Sequence, residues 1–158
     1  MLGDKEVVFG SASLGLIVVE PQVLEHLYKY RQVQPDSHEK GGVLVGELRH
    51  PHIVVTGASQ PGDNDTSSRF SFLRRDNSHK LFVQNRYKES NGTVVYIGEW
   101  HTHPERKPTP SNIDLDSWSK NLFSPHGSIV AIIGYEFIWW GVQKNGSILH
   151  FSYSHTYK

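Results

Sequence analysis

Two histidines one residue apart, His101 and His103, end a run of strand-forming residues that begins at Thr93, and Pro104 follows them at once. Residues two apart in an extended chain share a face, so both imidazoles aim at one point. The proline then stops the ladder. A loop of proline and charge, residues 105–110, leads to Ser111-Asn112-Ile113-Asp114, where Ser111 reads as a helix start and Asp114 lies three residues further on. A fold that uses this stretch needs a strand end and a helix start in one place. Two neutral imidazoles and one carboxylate are the donor set of a catalytic zinc, with a fourth position open. Ser111 and Asp114 also fit a capping box, in which both side chains satisfy free N–H groups at a helix start. Capping explains neither histidine, and strand composition explains neither the histidines nor the proline. The joint pattern H-x-H-P-x6-S-x2-D reads as a zinc hydrolase site.

That pattern resembles the JAMM motif of the MPN+/JAB metalloproteases, which remove ubiquitin and ubiquitin-like proteins from their targets. The match has no gap and no substitution. Upstream, Glu39-Lys40-Gly41-Gly42-Val43-Leu44-Val45-Gly46 is similar to the E-x-G-G-x-L-x-G strand of the same family. The resemblance implies that His101, His103 and Asp114 hold one zinc ion per chain, that Glu39 is the general base, and that Ser111 donates to the oxyanion. Glu99 shares a face with His101 and His103, and on chemistry alone it rivals Glu39 as the base. The ubiquitin-directed eukaryotic branch carries a large aromatic residue at that position. Gly98-Glu99-Trp100-His101-Thr102-His103-Pro104 instead resembles a bacterial branch that includes standalone JAB peptidases encoded beside cGAS-like nucleotidyltransferases in anti-phage CBASS operons. Glu99 is therefore expected to hold a ligand imidazole by its other N–H.

The resemblance further implies cleavage of the amide after the C-terminal residue of a ubiquitin-like protein. The substrate would be that protein or a conjugated target, in the CBASS branch the nucleotidyltransferase itself. Two other classes fit the same motif region: a processing peptidase for sulfur-carrier or ampylation-type small proteins, and a non-catalytic MPN scaffold. An intact motif argues against the scaffold.

Composition narrows the field. The 158 residues make one domain, residues 1–158, large enough to bury a core. Lys+Arg and Asp+Glu both number 16, so no net field favours nucleic acid or an anionic membrane. The absence of cysteine excludes a disulfide framework, a thiol nucleophile and a Cys-ligated zinc, including that of the nucleobase deaminases. No apolar run approaches membrane-spanning length, and the N-terminus lacks a basic region followed by an apolar core. A soluble protein of the cytoplasm is expected.

Along the chain, Glu6 to Phe9 and Leu14 to Val19 read as strands. A helix is expected from Pro21 to about Gln32, with Val23, Leu24, Leu27 and Tyr28 on its apolar face and His26 solvated, as is His38 beyond it. Val43 to Leu48 and Ile53 to Ala58 read as strands joined by a turn at Arg49-His50-Pro51-His52. The second H-x-H in that turn is a decoy, with no S-x-x-D behind it. Pro61 to Ser68 is a polar loop without an apolar anchor, expected to be mobile, and Arg69 to Leu73 a strand with Phe70 and Phe72 on one face. Arg69, Arg74 and Arg75 read as solvated charges at the strand edge, with binding of an acidic partner as the alternative. A helix spans Ser78 to about Ser90, a strand Val94 to His103, and a helix Ser111 to about Leu122 whose Ile113, Leu115, Trp118 and Leu122 cover a sheet. Strands at Ser128 to Ile133, Phe137 to Lys144 and Ser147 to Tyr153 follow, the last two joined by Asn145-Gly146, a strong hairpin signal. Trp139 and Trp140 alternate faces, so one is expected in the core. The fold class is α/β, a mixed, largely antiparallel twisted sheet flanked by helices, in agreement with the JAB/MPN fold.

Overall fold

A computed structural model describes residues 6–11 and 15–156. The chain runs through β1 (Val7–Ser11), β2 (Gly15–Val19), α1 (Pro21–Tyr28), β3 (Gly41–Arg49), β4 (His52–Ala58), β5 (Thr66–Ser68), β6 (Ser71–Leu73), α2 (Ser78–Glu89), β7 (Val94–Thr102), α3 (Asn112–Asn121), β8 (Ser128–Ile133), β9 (Phe137–Lys144) and β10 (Ser147–His155). Leu14 lies outside the described residues. Eight strands form one sheet in the order β1-β2-β4-β3-β7-β8-β9-β10, and β5-β6 stands apart as a hairpin. Two pairings are parallel, β2 with β4 and β7 with β8; the other pairings are antiparallel. The α/β expectation of a mixed, largely antiparallel sheet holds.

Every residue of β8 is buried, as its unbroken apolar run Ser-Ile-Val-Ala-Ile-Ile requires of a central strand covered on both faces. On one face α1 packs Val23, Leu24 and Leu27 into the larger core with Leu44, Val55, Trp100 and Trp140. On the other, α3 sets Trp118 and Leu122 on Val130, Ile132 and Trp139. Trp139 and Trp140 therefore alternate between two cores, and both are buried. Only one was expected in the core; the cover that α3 gives the second face buries the other as well. Asn145 and Gly146 take the paired positive φ values, 52° and 76°, of the expected tight hairpin.

The β3–β7 register positions the functional residues. Gly41 pairs with His101 and Gly42 with Trp100. Two residues before Gly41 is Glu39, and two after His101 is His103, so the antiparallel pairing carries Glu39 opposite His103. The glycines are needed where β3 is crowded. A Cβ on Gly41 would stand 2.7 Å from the Phe72 ring, and one on Gly42 2.4 Å from Ser59 Oγ. The close approach is made by the hairpin and by the residue that follows β4. A bulge interrupts the ladder between Leu44 and Val45, opposite Gly98 and Tyr96. At Gly98 a Cβ would lie 1.8 Å from the Ile129 carbonyl oxygen, so only glycine lets β7 and β8 meet there.

Several expectations are corrected. Helix α1 stops at Tyr28, because Gln32 leaves it to bury its amide, with Nε2 donating to the Ser37 and Arg69 carbonyls at 3.0 Å each. His26 is half-buried against Tyr30 and Trp100, with Nε2 3.2 Å from the Ser59 carbonyl oxygen. Arg69 and Phe70 form the turn of the β5–β6 hairpin, so Phe70 is exposed while Phe72 packs on Gly41. Ile113 is 73% exposed and covers no sheet. In the decoy, His50 is exposed and His52 Nδ1 accepts from Leu16 N at 2.9 Å.

The loop before the hairpin has an anchor after all, and it is polar. Asp65 accepts from Gly62 N, Arg75 N and Asp76 N, each at 2.8 Å, and pairs with His79 Nε2 at 2.7 Å. His79 Nδ1 meets Ser59 Oγ at 2.6 Å, and Ser59 Oγ takes the Val43 N–H. The Asp65 carboxylate can only accept, so Nε2–H donates to it, and in the neutral ring Nδ1 then accepts the Ser59 hydroxyl. The order Ser-His-Asp matches a hydrolytic triad, but Ser59 and His79 are 2% and 3% exposed and offer no room to a substrate. The chain is a strut tying the hairpin base to β3. His79→Ala should lower unfolding free energy by about 2–3 kcal/mol in a urea titration, the cost of leaving buried partners unsatisfied. The three backbone donors that Asp65 retains keep the loss from being larger.

Candidate metal centre

His101 and His103 leave β7 on one face, as their spacing dictates, and are 8% and 5% exposed. Their Nε2 atoms face each other at 3.1 Å. Asp114, in the first turn of α3, closes the triangle, with Oδ1 3.2 Å from His101 Nε2 and Oδ2 3.1 Å from His103 Nε2. Helix α3 starts at a full capping box: Ser111 Oγ accepts from Asp114 N at 3.0 Å, and Asp114 Oδ2 accepts from Ser111 N at 2.8 Å. The cap and the donor set share one carboxylate, and the cap orients it.

These three side chains are compatible with a metal site. Donor atoms of His101, His103 and Asp114 lie within 4.8 Å of one another. A tetrahedral zinc with donors at roughly 2.0–2.2 Å sets neighbouring donors about 3.3–3.6 Å apart, close to the separations found. Two imidazole lone pairs and a carboxylate turned on one another also repel unless a proton or cation sits among them. Burial lowers the His101 pKa, but the hydrogen bond and charge of Asp114, together with the charges of Glu39 and Glu99, raise it above its ordinary value. Burial pushes Asp114 up, but both imidazoles and the Ser111 N–H hold its carboxyl far below the usual range.

Glu39 is buried beside the donors and not among them, with Oε1 3.9 Å from His103 Nε2. Burial pushes its carboxyl up to about 7, against the pull of the two imidazoles and with the help of Asp114 and Glu105. Its position is fixed by backbone. Glu39 N donates to the Ser68 carbonyl at 2.7 Å, while Lys40 and Thr102 exchange bonds at 2.9 and 3.0 Å. Thr102, between the two histidines, points to the opposite face and donates to Gln32 Oε1 at 2.7 Å.

Glu99 lies on the expected face but does not hold an imidazole. Its Oε1 accepts from Trp118 Nε1 at 3.0 Å and its Oε2 from Arg74 Nη1 at 2.9 Å, so Arg74 is paired and not a solvated charge. The carboxylate beside one of the two imidazoles is Glu105, with Oε1 3.3 Å from His103 Nδ1. Sequence reasoning passed over Glu105, although an acid directly after H-x-H-P was a usable signal. The groove over the donors, about 390 Å³, runs between the hairpin and α3 and is lined by Glu39, Phe72, Arg74, His101, Ser111 and Ile113 among others.

Fold and site together define a protein with a two-imidazole, one-carboxylate centre at the end of a central strand of a mixed sheet, beside a buried carboxylate. Residues 21–147 match the family described as prokaryotic homologs of the JAB domain. The chain belongs to that family. It is 38% identical over 151 residues to a protein of Vibrio cholerae serotype O1 named CD-NTase/cGAS isopeptidase, covering 96% of this chain and 97% of that one. A protein of the same name from Escherichia coli is 40% identical over 143 residues, covering 90% and 92%. The solution structure of protein DSY2949 from Desulfitobacterium hafniense shares the fold, with a TM-score of 0.60 at 20% identity over 84% of this chain and 87% of that one.

Proposed function

We propose that the chain is a zinc-dependent isopeptidase that cleaves the amide after the C-terminal residue of a ubiquitin-like protein. The proposed conjugate is one on a cGAS-like nucleotidyltransferase, and the proposed setting is the bacterial cytoplasm during anti-phage defence. The observation that carries the reading is the convergence of His101, His103 and Asp114 beside buried Glu39. The relatives' names supply the substrate class.

A zinc ion held by His101, His103 and Asp114 would supply Lewis acidity and make water acidic enough to react near neutral pH. Glu39 takes the proton of the attacking water, and burial, which raises its carboxyl, makes it a stronger base than a solvated carboxylate. The same carboxyl then hands the proton to the leaving amine. Ser111 accepts from Asp114 N through a lone pair, which leaves its O–H to donate to the developing oxyanion. Burial of Glu39 and both histidines keeps bulk water from these groups.

The test uses a nucleotidyltransferase lysine joined to the C-terminus of a ubiquitin-like protein, with a linear fusion of the same partners beside it. The isopeptide conjugate should be cut, chelation should stop the cut, and zinc should restore it. Cleavage that survives chelation would contradict the metal, and cleavage of the linear fusion alone would contradict the isopeptidase.

Ser111 makes a further prediction. Lost as a cap alone, it should cost about 1 kcal/mol of stability and little activity. As an oxyanion donor, Ser111→Ala should lower kcat on the order of 10²–10³-fold with KM little changed, because the bond forms only in the transition state. Ser111→Asp still caps α3 but cannot donate, and it is expected to fold and be inactive. Near-normal kcat in Ser111→Ala with a lowered Tm would leave the residue as a cap only.

A further inference from the structure

The β5–β6 hairpin touches the site at two points. Its Ser68 carbonyl holds Glu39 N, and Arg74, the first residue after β6, reaches Glu99. Glu99 is half-buried on β7, its side chain 20% exposed, and both of its oxygens are engaged. The second oxygen fixes the indole of Trp118, which is 1% exposed. That indole stacks on Trp139 with centroids 5.8 Å apart, and the His101 imidazole lies tilted against it at 6.1 Å. Hairpin, strand, helix and donor histidine are thus joined in one line of contacts: Arg74, Glu99, Trp118, His101.

Each link has a physical reason to be stiff. A carboxylate with little solvent needs donors on both oxygens, so removing one frees it to turn. An indole turns only about its χ1 and χ2 bonds; the stack on Trp139 resists both, and the Nε1–H bond to Glu99 fixes the far edge of the ring. A ligand imidazole packed against that indole inherits its position.

We propose that Arg74 is a positioning residue for His101, acting through Glu99 and Trp118, so that seating of the β5–β6 hairpin and metal affinity at His101 are coupled. The proposal rests on the metal reading above. It gives the hairpin a second task besides walling the groove. A substrate that presses the hairpin down tightens the donor set, and an unseated hairpin loosens it.

The experiment measures zinc affinity against a chromogenic chelator, and amide exchange in residues 66–73 of the metal-stripped protein. Arg74→Met, Glu99→Gln, Trp118→Phe and the Arg74→Met/Glu99→Gln double variant are compared with the unaltered protein. Arg74→Met should weaken zinc binding about 10–100-fold, the size seen when partners of ligating residues are lost. Trp118→Phe keeps a ring on Trp139 but loses the N–H. It should weaken zinc similarly and also speed exchange in the hairpin, although it lies on α3. The double variant should be no weaker than Glu99→Gln, since both changes cut one line. Arg74→Lys should recover part of the affinity. Unchanged zinc affinity in Arg74→Met, even with a lowered Tm, overturns the proposal, as does an additive double variant or a Trp118→Phe hairpin that exchanges normally. If the unaltered protein bound no zinc, the function proposed above would fall and the metal half of this proposal with it, and the hairpin exchange of Trp118→Phe would still decide whether α3 and the hairpin are linked.

Discussion

Glu39→Gln should bind metal as the unaltered protein does and lose turnover on the order of 10²–10⁴-fold, the usual weight of a positioned general base. The amide keeps the shape of the side chain in its buried pocket, and the Glu39 N bond to Ser68 is untouched. Oε1 stands 3.9 Å from the nearest imidazole nitrogen, too far to count among the donors, so the site should fill without it. Glu99 is the rival on chemistry, since it lies on the same strand face. The structure gives it other duties, with one oxygen on Trp118 and one on Arg74. Glu99→Gln should therefore weaken metal binding and reduce activity in proportion. An inactive Glu99→Gln with full metal, beside an active Glu39→Gln, would transfer the base to Glu99.

The donor variants should show the opposite pattern. His101→Ala and His103→Ala each remove one of three donors and should lose metal and activity together, down to the uncatalysed background. Asp114 needs a finer substitution, because its carboxylate also caps α3. Asp114→Asn keeps an oxygen for the Ser111 N–H but loses the charge. It should fold with nearly normal Tm and still fail to hold zinc at micromolar concentrations. His50→Ala and His52→Ala should keep metal and activity, and His52→Ala should lose some stability because Leu16 N loses its acceptor. Activity that survives in any donor variant stripped of metal would break the link between the two.

What could be read from the chain followed from period and adjacency. The spacing of His101 and His103 set both imidazoles on one face, and the Ser111–Asp114 interval set the carboxylate in a first helical turn. Both are local rules, and the carboxylate that caps α3 is the one that faces both imidazoles. The boundaries of β8 and β9 followed from unbroken apolar runs, and the hairpin after β9 from Asn145-Gly146. What stayed hidden depends on partners far apart in the chain. Gln32 ended α1 early because its amide is claimed by Ser37 and Arg69. Asp65 anchored a loop that had no apolar anchor because His79 and three backbone N–H groups converge on it. Arg74 met Glu99 across 25 residues, and nothing in either local pattern announces the pair. Glu105 was passed over for a different reason, since attention to the motif's fixed positions left its variable ones unread.

The central claim is that His101, His103 and Asp114 hold a catalytic zinc while Glu39 does not. Metal content measured by mass spectrometry on freshly purified protein tests it most directly, with the unaltered chain, Glu39→Gln and Asp114→Asn prepared side by side. The account predicts about one zinc per chain in the first two and close to none in the third. Full zinc in Asp114→Asn, or its loss in Glu39→Gln, would contradict it.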